Sequence, residues 1–195
     1  MNIPLRCRCG KVRGEAIDAS PKTGTHVVCY CDDCRAFTKF LERPDVLDAA
    51  GGTAIFQMAS WRLRITQGAE ELRCMSLVEK GMTRFYAGCC RTPVGNTMGA
   101  SVPFVGLSSA FMDSAARDTA LGAPTYFTMS RFATGTTPPG SHPKAPLGLI
   151  VRSVRLLLGW WIGGRGKSSP LFDAKSGAPL TPRTLLTPAQ RDALR

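Results

Sequence analysis

Seven of the eight cysteines in this 195-residue chain fall into three tight groups. Cys7 and Cys9 form C-x-C, Cys29, Cys31 and Cys34 form C-x-C-x-x-C, and Cys89 and Cys90 are adjacent. Crowded thiols need a reason. A tight turn points neighbouring sulfurs and backbone N–H groups at one ion, and soft thiolates in tetrahedral arrays select zinc or iron–sulfur clusters. Structural zinc takes four ligands, while reactive zinc takes three and keeps a position open. Within C-x-C-x-x-C the count of three is one short of a closed site. Cys74 stands alone in a strand pattern and reads as an ordinary buried thiol. His26 and His142 are the remaining soft candidates, and each reads as a surface or cap residue.

Composition sets the frame. Gly at 20 and Pro at 14 imply many turns and a mainly β chain rather than a helical bundle. The net charge of +11 is concentrated in the tail, where residues 144–195 carry nine Lys or Arg against two acids. That excess reads as a solvated basic surface, and nucleic acid is not the expected partner. Residues 1–10 lack a continuous apolar run after a basic start, so no secretory leader is expected. A cytoplasmic compartment follows, in which closely spaced thiols hold metal more often than they form disulfides.

Along the chain, residues 3–14 read as a strand carrying Cys7 and Cys9, turned by Gly10 and Gly14. Residues 25–30 read as a strand entering the second cysteine group, followed by a short helix over 33–41 capped by Asp32 or Asp33. Strands are expected over 53–58 and over 61–66, where Trp61, Leu63 and Ile65 share a face. A hairpin turn at 67–70 should lead into a strand over 71–77. Further strands are expected over 82–87 and 102–108. Residues 1–133 thus form a β domain, 134–146 a Pro/Gly-rich linker, and 147–195 an amphipathic helix with a basic tail. In the helix, Leu147, Ile150, Val151, Val154, Leu158 and Trp161 share one face, with Gly148, Arg152, Arg155 and Gly159 on the other. That helix either docks on the domain or lies on an anionic membrane surface, where Trp160 and Trp161 followed by Arg165 and Lys167 suit an interface. It is too short and too charged for an ordinary membrane span.

Three pieces occur in a fixed order: Cys7-Arg8-Cys9-Gly10, then Cys29-Tyr30-Cys31 with Cys34-Arg35, then Arg84-Phe85 leading to Cys90-Arg91-Thr92-Pro93. Together they resemble the glutathione-dependent formaldehyde-activating enzymes and their relatives, which include centromere protein V, over roughly residues 5 to 110. The resemblance implies a zinc-stabilised, β-tent-like fold of small antiparallel sheets with two zinc ions per chain. Cys7, Cys9 and Cys90 match the family's structural site, and Cys29, Cys31 and Cys34 match its open site. The implied chemistry is that of a carbon–sulfur lyase, joining glutathione to formaldehyde. Two departures stand out. The family's late C-x-x-C-G-T-P would place its first cysteine on Ala87, so Cys89 must serve instead, and Arg91 replaces the glycine. Tyr30 occupies a position that is often His.

An enzyme handling a glutathione-like thiol is therefore one expectation, with Arg35 and Lys39 as candidate anchors for a substrate carboxylate. A non-catalytic zinc module, with Cys74 or Cys89 closing the second site, and an adaptor acting through the basic tail are the alternatives. No Ser/His/Asp set, phosphate-cradling glycine loop or catalytic carboxylate pair emerges.

Overall fold

The computed structural model describes residues 1–164 and 169–194. Its strands are β1 (Ile3–Arg6), β2 (Arg13–Ala16), β3 (Gly24–Cys29), β4 (Thr53–Met58), β5 (Leu63–Gln67), β6 (Leu72–Ser76), β7 (Thr83–Ala87), β8 (Thr92–Thr97), β9 (Val105–Ser108), β10 (Tyr126–Thr128) and β11 (Arg183–Leu185). The helices are α1 (Asp32–Phe40), α2 (Ser114–Leu121), α3 (Leu147–Gly163) and α4 (Pro188–Ala193). The fold is mainly β, with two sheets and a C-terminal helix. A small antiparallel sheet runs β1-β2-β5, and a large one runs β10-β3-β4-β9-β8-β7-β6-β11. The large sheet is antiparallel within, but its two edge strands, β10 on β3 and β11 on β6, pair in parallel.

Alternation along the central strands divides the large sheet into two faces. Phe56 and Met58 of β4, Phe85 and Ala87 of β7, Val94 of β8, and Val105 and Leu107 of β9 turn inward and pack on Ile3, Leu5 and Leu63 of the small sheet. On the opposite face α1 covers only the β6–β7 end, where Ala36, Phe37 and Leu41 meet Met75, Leu77 and Tyr86. The uncovered part of that face becomes the cavity described below.

Several local expectations are corrected. Residues 3–14 are not one strand: β1 and β2 form a hairpin, and Cys7 and Cys9 lie on its turn. Gly14 lies inside β2, where a Cβ would approach the Arg64 carbonyl oxygen to 2.2 Å. Residues 67–70 make no hairpin, because β5 belongs to the small sheet and β6 to the large one. Left-handed Gly68 (φ 74°) instead carries the chain between the sheets. Trp61 precedes β5 in a 3₁₀ turn. Neither aspartate caps α1; Cys31 holds the cap position, while Asp32 and Asp33 sit in the first turn and pair with Arg35 and Arg84.

Residues 134–146 carry no helix or strand, although His142 bridges back to β10. Beyond it, α3 packs on the domain through a face other than the expected one. Leu149 and Trp160 are buried, with Leu156 and Leu157 against Ala59, Phe104 and Met82. Leu147, Ile150, Val151, Val154, Leu158 and Trp161 remain exposed. The helix has an apolar stripe on both sides, so periodicity alone could not choose between them. Arg165 and Lys167, read as interfacial, lie outside the described residues. No helix among the described residues is long and apolar enough to cross a membrane.

The tail also enters the core. Leu171 and Phe172 are buried in the main cluster, and the Phe172 ring meets Phe85 edge-on at 5.6 Å. Leu171→Ala should therefore cost about 3 kcal/mol in urea unfolding, the scale of a buried leucine deletion. A loss below about 1 kcal/mol would show the tail to be loosely held.

Candidate metal centres

The hairpin turn between β1 and β2 and the turn between β7 and β8 face each other across the chain. Cys7 N–H donates to the Val12 carbonyl at 3.0 Å and Gly10 N–H to the Cys7 carbonyl at 2.9 Å, which curls the first turn around its thiols. In the second turn Arg91 N–H donates to the Ala87 carbonyl at 2.8 Å. Arg91 takes φ 56°, the left-handed conformation that favours the glycine it replaces in the resembled pattern.

These turns bring the sulfurs of Cys7, Cys9, Cys89 and Cys90 within 4.8 Å of one another. Sulfur separations of 3.6 Å (Cys7–Cys9), 3.9 Å (Cys7–Cys89), 3.3 Å (Cys9–Cys89) and 3.9 Å (Cys89–Cys90) are too long for disulfides. They are close to the edge of about 3.8 Å that a tetrahedron of thiolates needs around zinc at about 2.3 Å. This group can hold a metal ion, and Cys89 supplies the fourth sulfur that the shifted motif left in question.

Thr92 organises that group from outside. Its Oγ1 accepts from Arg8 N–H at 3.0 Å and from Arg43 Nη1 at 3.2 Å, and lies 3.2 Å from Cys90 Sγ. With both lone pairs taken, the hydroxyl proton points to the sulfur. Burial raises the Cys90 thiol, but the hydrogen bonds from Thr92 and backbone N–H groups prevail and bring it down to about 6. Burial leaves Cys89 raised.

The second group is Cys29, Cys31 and Cys34, whose sulfurs also lie within 4.8 Å of one another. Cys29 ends β3, Cys31 precedes α1, and Cys34 sits in its first turn, where helix N–H groups favour a thiolate. Cys34 is held well below the ordinary thiol value, by hydrogen bonds from Cys29 and Cys31 first and then by the Arg84 charge. Bonding to Cys31 and Cys34 raises Cys29. Among the described residues no fourth cysteine, histidine or carboxylate joins the three.

The other candidates lie elsewhere. Cys74 is buried and donates to the Thr181 carbonyl at 3.4 Å. Tyr30 is fully buried, and its hydroxyl donates to Asp48 Oδ2 at 3.1 Å. His26 is buried, with its ring nitrogens at Gly122 O and Ser109 Oγ, and burial lowers its pKa. His142 is exposed. Arg35 is engaged by Asp32 and the Phe132 carbonyl, each at 2.5 Å.

Cys34 stands on the wall of a cavity of about 390 Å³ on the sheet face that α1 leaves open. Its floor includes Arg84 of β7, Asn96 of β8 and Gly106 of β9, and Arg43 and Arg117 also line it. A Cβ at Gly106 would come within 2.3 Å of Asn96 Oδ1, so glycine there lets the Asn96 amide lie across the floor. Arg84 is buried, with its Nη2 3.7 Å from Asp33 Oδ2. Its Nε and Nη1, and Asn96 Oδ1, have no hydrogen-bond partner among the described residues. Such groups are costly to bury unpaired. Sequence reasoning found Arg84 only as part of a motif, and missed Arg43, Asn96 and Arg117. Their shared cavity depends on strand pairing between distant segments, which no local spacing encodes.

Two variants separate the groups. Cys7→Ser should destabilise the fold severely, because a metal there ties two turns far apart in sequence and its binding free energy is folding free energy. Cys31→Ser should leave a folded protein with one metal fewer by elemental analysis, and equal destabilisation in both would contradict the division. Thr92→Val, which keeps the shape and removes the hydroxyl, should weaken metal retention at the four-thiol group about tenfold in a chelator competition. Unchanged retention would remove Thr92 from the site.

No curated protein matches the chain. Over residues 1–182 it matches the model of a family of unknown function, DUF6151, and it belongs to that family.

Proposed function

We propose that the chain is a zinc protein with one structural and one reactive centre. Cys7, Cys9, Cys89 and Cys90 would hold the structural ion, and Cys29, Cys31 and Cys34 a second ion with a position left for an exogenous thiol. The reaction we assign is the making or breaking of a carbon–sulfur bond between a glutathione-like thiol and an aldehyde, as in the formaldehyde-activating family the sequence resembles. The observation that carries this reading is a three-thiol group that meets a cavity through Cys34 and has no fourth protein ligand beside it among the described residues.

Zinc bound there would supply Lewis acidity and lower the pKa of a thiol placed next to it. The remaining work falls to the chain. Arg84 beside Cys34 offsets the negative charge of clustered thiolates, which would otherwise be costly to bury. Its unpartnered N–H groups suit a carboxylate, and Asn96 Oδ1 suits an amide N–H, so a peptide thiol offers both complements. Arg43 and Arg117 add positive charge to the lining. The cavity falls within the range of about 300–1,000 Å³ typical of small-molecule sites. In the addition the S–C bond forms as the carbonyl π bond opens, and the thiol proton ends on the oxygen. The lyase direction is the reverse, and neither involves redox change.

The placement of Cys74 and Cys89 supports this reading over a closed second site, since both sulfurs are engaged elsewhere. Cobalt-substituted protein tests it. Glutathione should intensify the thiolate-to-cobalt absorption of the wild type and leave Cys31→Ser unchanged. A wild-type spectrum indifferent to glutathione would mean that no position is open to a thiol.

A further inference from the structure

The outer face of α3 is the largest feature that the metal centres leave unexplained. Leu147, Ile150, Val151, Val154, Leu158, Trp161 and Ile162 are each between 47% and 74% exposed, while the opposite side of the same helix already packs on the domain. Scattered surface leucines are ordinary, but seven large apolar side chains along one helix are not. A helix with apolar stripes on two sides normally has both of them covered.

Charge identifies the cover. From 119 to 172 the chain carries six Lys or Arg and no acid. On α3, Arg155 lies exposed beside the apolar stripe. Arg152 donates to Thr25 Oγ1 and the Gly24 carbonyl at 2.9 Å, and to the Pro21 carbonyl, all uncharged acceptors. Neither arginine forms an ion pair among the described residues. A second copy seated on this face would set one all-basic segment against another. An anionic lipid surface would neutralise it while taking the apolar stripe.

We propose that α3 is a membrane-surface docking element that lays Ile150, Val151, Val154, Leu158 and Trp161 into the interface of an anionic bilayer. At about 1.5 Å per residue its 17 residues extend about 25 Å, so it lies along the surface rather than across it. Trp161 sits near the C-terminal end, where an indole ring suits the headgroup level. Its Nε1 donates to the Ser101 carbonyl at 3.4 Å, which holds the ring to the domain's edge. Docking requires no unfolding, because the inner face stays packed on Phe104 and Ala59.

Flotation of the full metal-loaded chain with vesicles tests the proposal, using equal phosphatidylglycerol and phosphatidylcholine against phosphatidylcholine alone. The wild type should float with the anionic vesicles and much less with the neutral ones, and added salt should release it. Val154→Glu with Leu158→Glu should reduce binding at least tenfold. Arg155→Ala should reduce it about fivefold, the effect of one cation near such a surface. All three positions are exposed, and circular dichroism and zinc content would confirm that the variants fold. Failure to float, whether the chain is monomeric or a dimer through this face by light scattering, would overturn the proposal. So would undiminished binding of the Val154→Glu, Leu158→Glu variant.

Discussion

Four sulfurs from two turns about eighty residues apart join the small sheet to the large one. Cys7 and Cys9 leave the small sheet, Cys89 and Cys90 leave the large one, and a metal shared by them would clamp the first hairpin to the β7–β8 turn. The clamp does not end at sulfur. Thr92 joins Cys90 to Arg43, and Arg43 makes a paired contact with Asp45, both bonds at 2.7 Å, on the lining of the cavity. One hydrogen-bond chain therefore runs from the four-thiol group to the rim of the space that Cys34 faces.

The large sheet serves two purposes through strand alternation. Its inward face is a closed apolar core, in which Phe56, Phe85, Val105 and Leu107 meet the small sheet. Its other face is only partly roofed by α1. There Asn96 stands in register between Arg84 on one neighbouring strand and Gly106 on the other, and Ser108 also lines the space. The same pleat that buries the core thus opens a polar cavity beside the three-thiol group.

Much of the site was legible because cysteine spacing is local. C-x-C and C-x-C-x-x-C each fit on one turn, so their grouping could be read directly, as could the helix that begins after Cys31. What pairs across the fold could not. β8 escaped because Thr92-Pro93-Val94-Gly95 looks like a turn. Yet it is a central strand, and the register shift between Phe85 and Tyr86 accommodates the proline, whose pairing partner is Tyr86. The short edge strands β10 and β11 carry too few residues for periodicity to register. On α3 the stripe read as docking on the domain or lying on a membrane surface faces outward, because Trp160 and Leu149 anchor the other side. Arg84 becomes significant only when β7 and β8 set it opposite Asn96.

If one group of thiols closes around its metal and the other leaves a position for something else, the two ions differ in their sulfur neighbours. X-ray absorption at the zinc edge of metal-loaded protein, prepared without added thiol, reads this directly. Four sulfurs at one centre and three at the other predict an average of about 3.5 sulfur neighbours at about 2.3 Å per zinc, completed by a light-atom ligand near 2.0 Å. An average of about 4 with no light atom would mean that both centres are closed by the protein, and a folded preparation without zinc would contradict the account altogether.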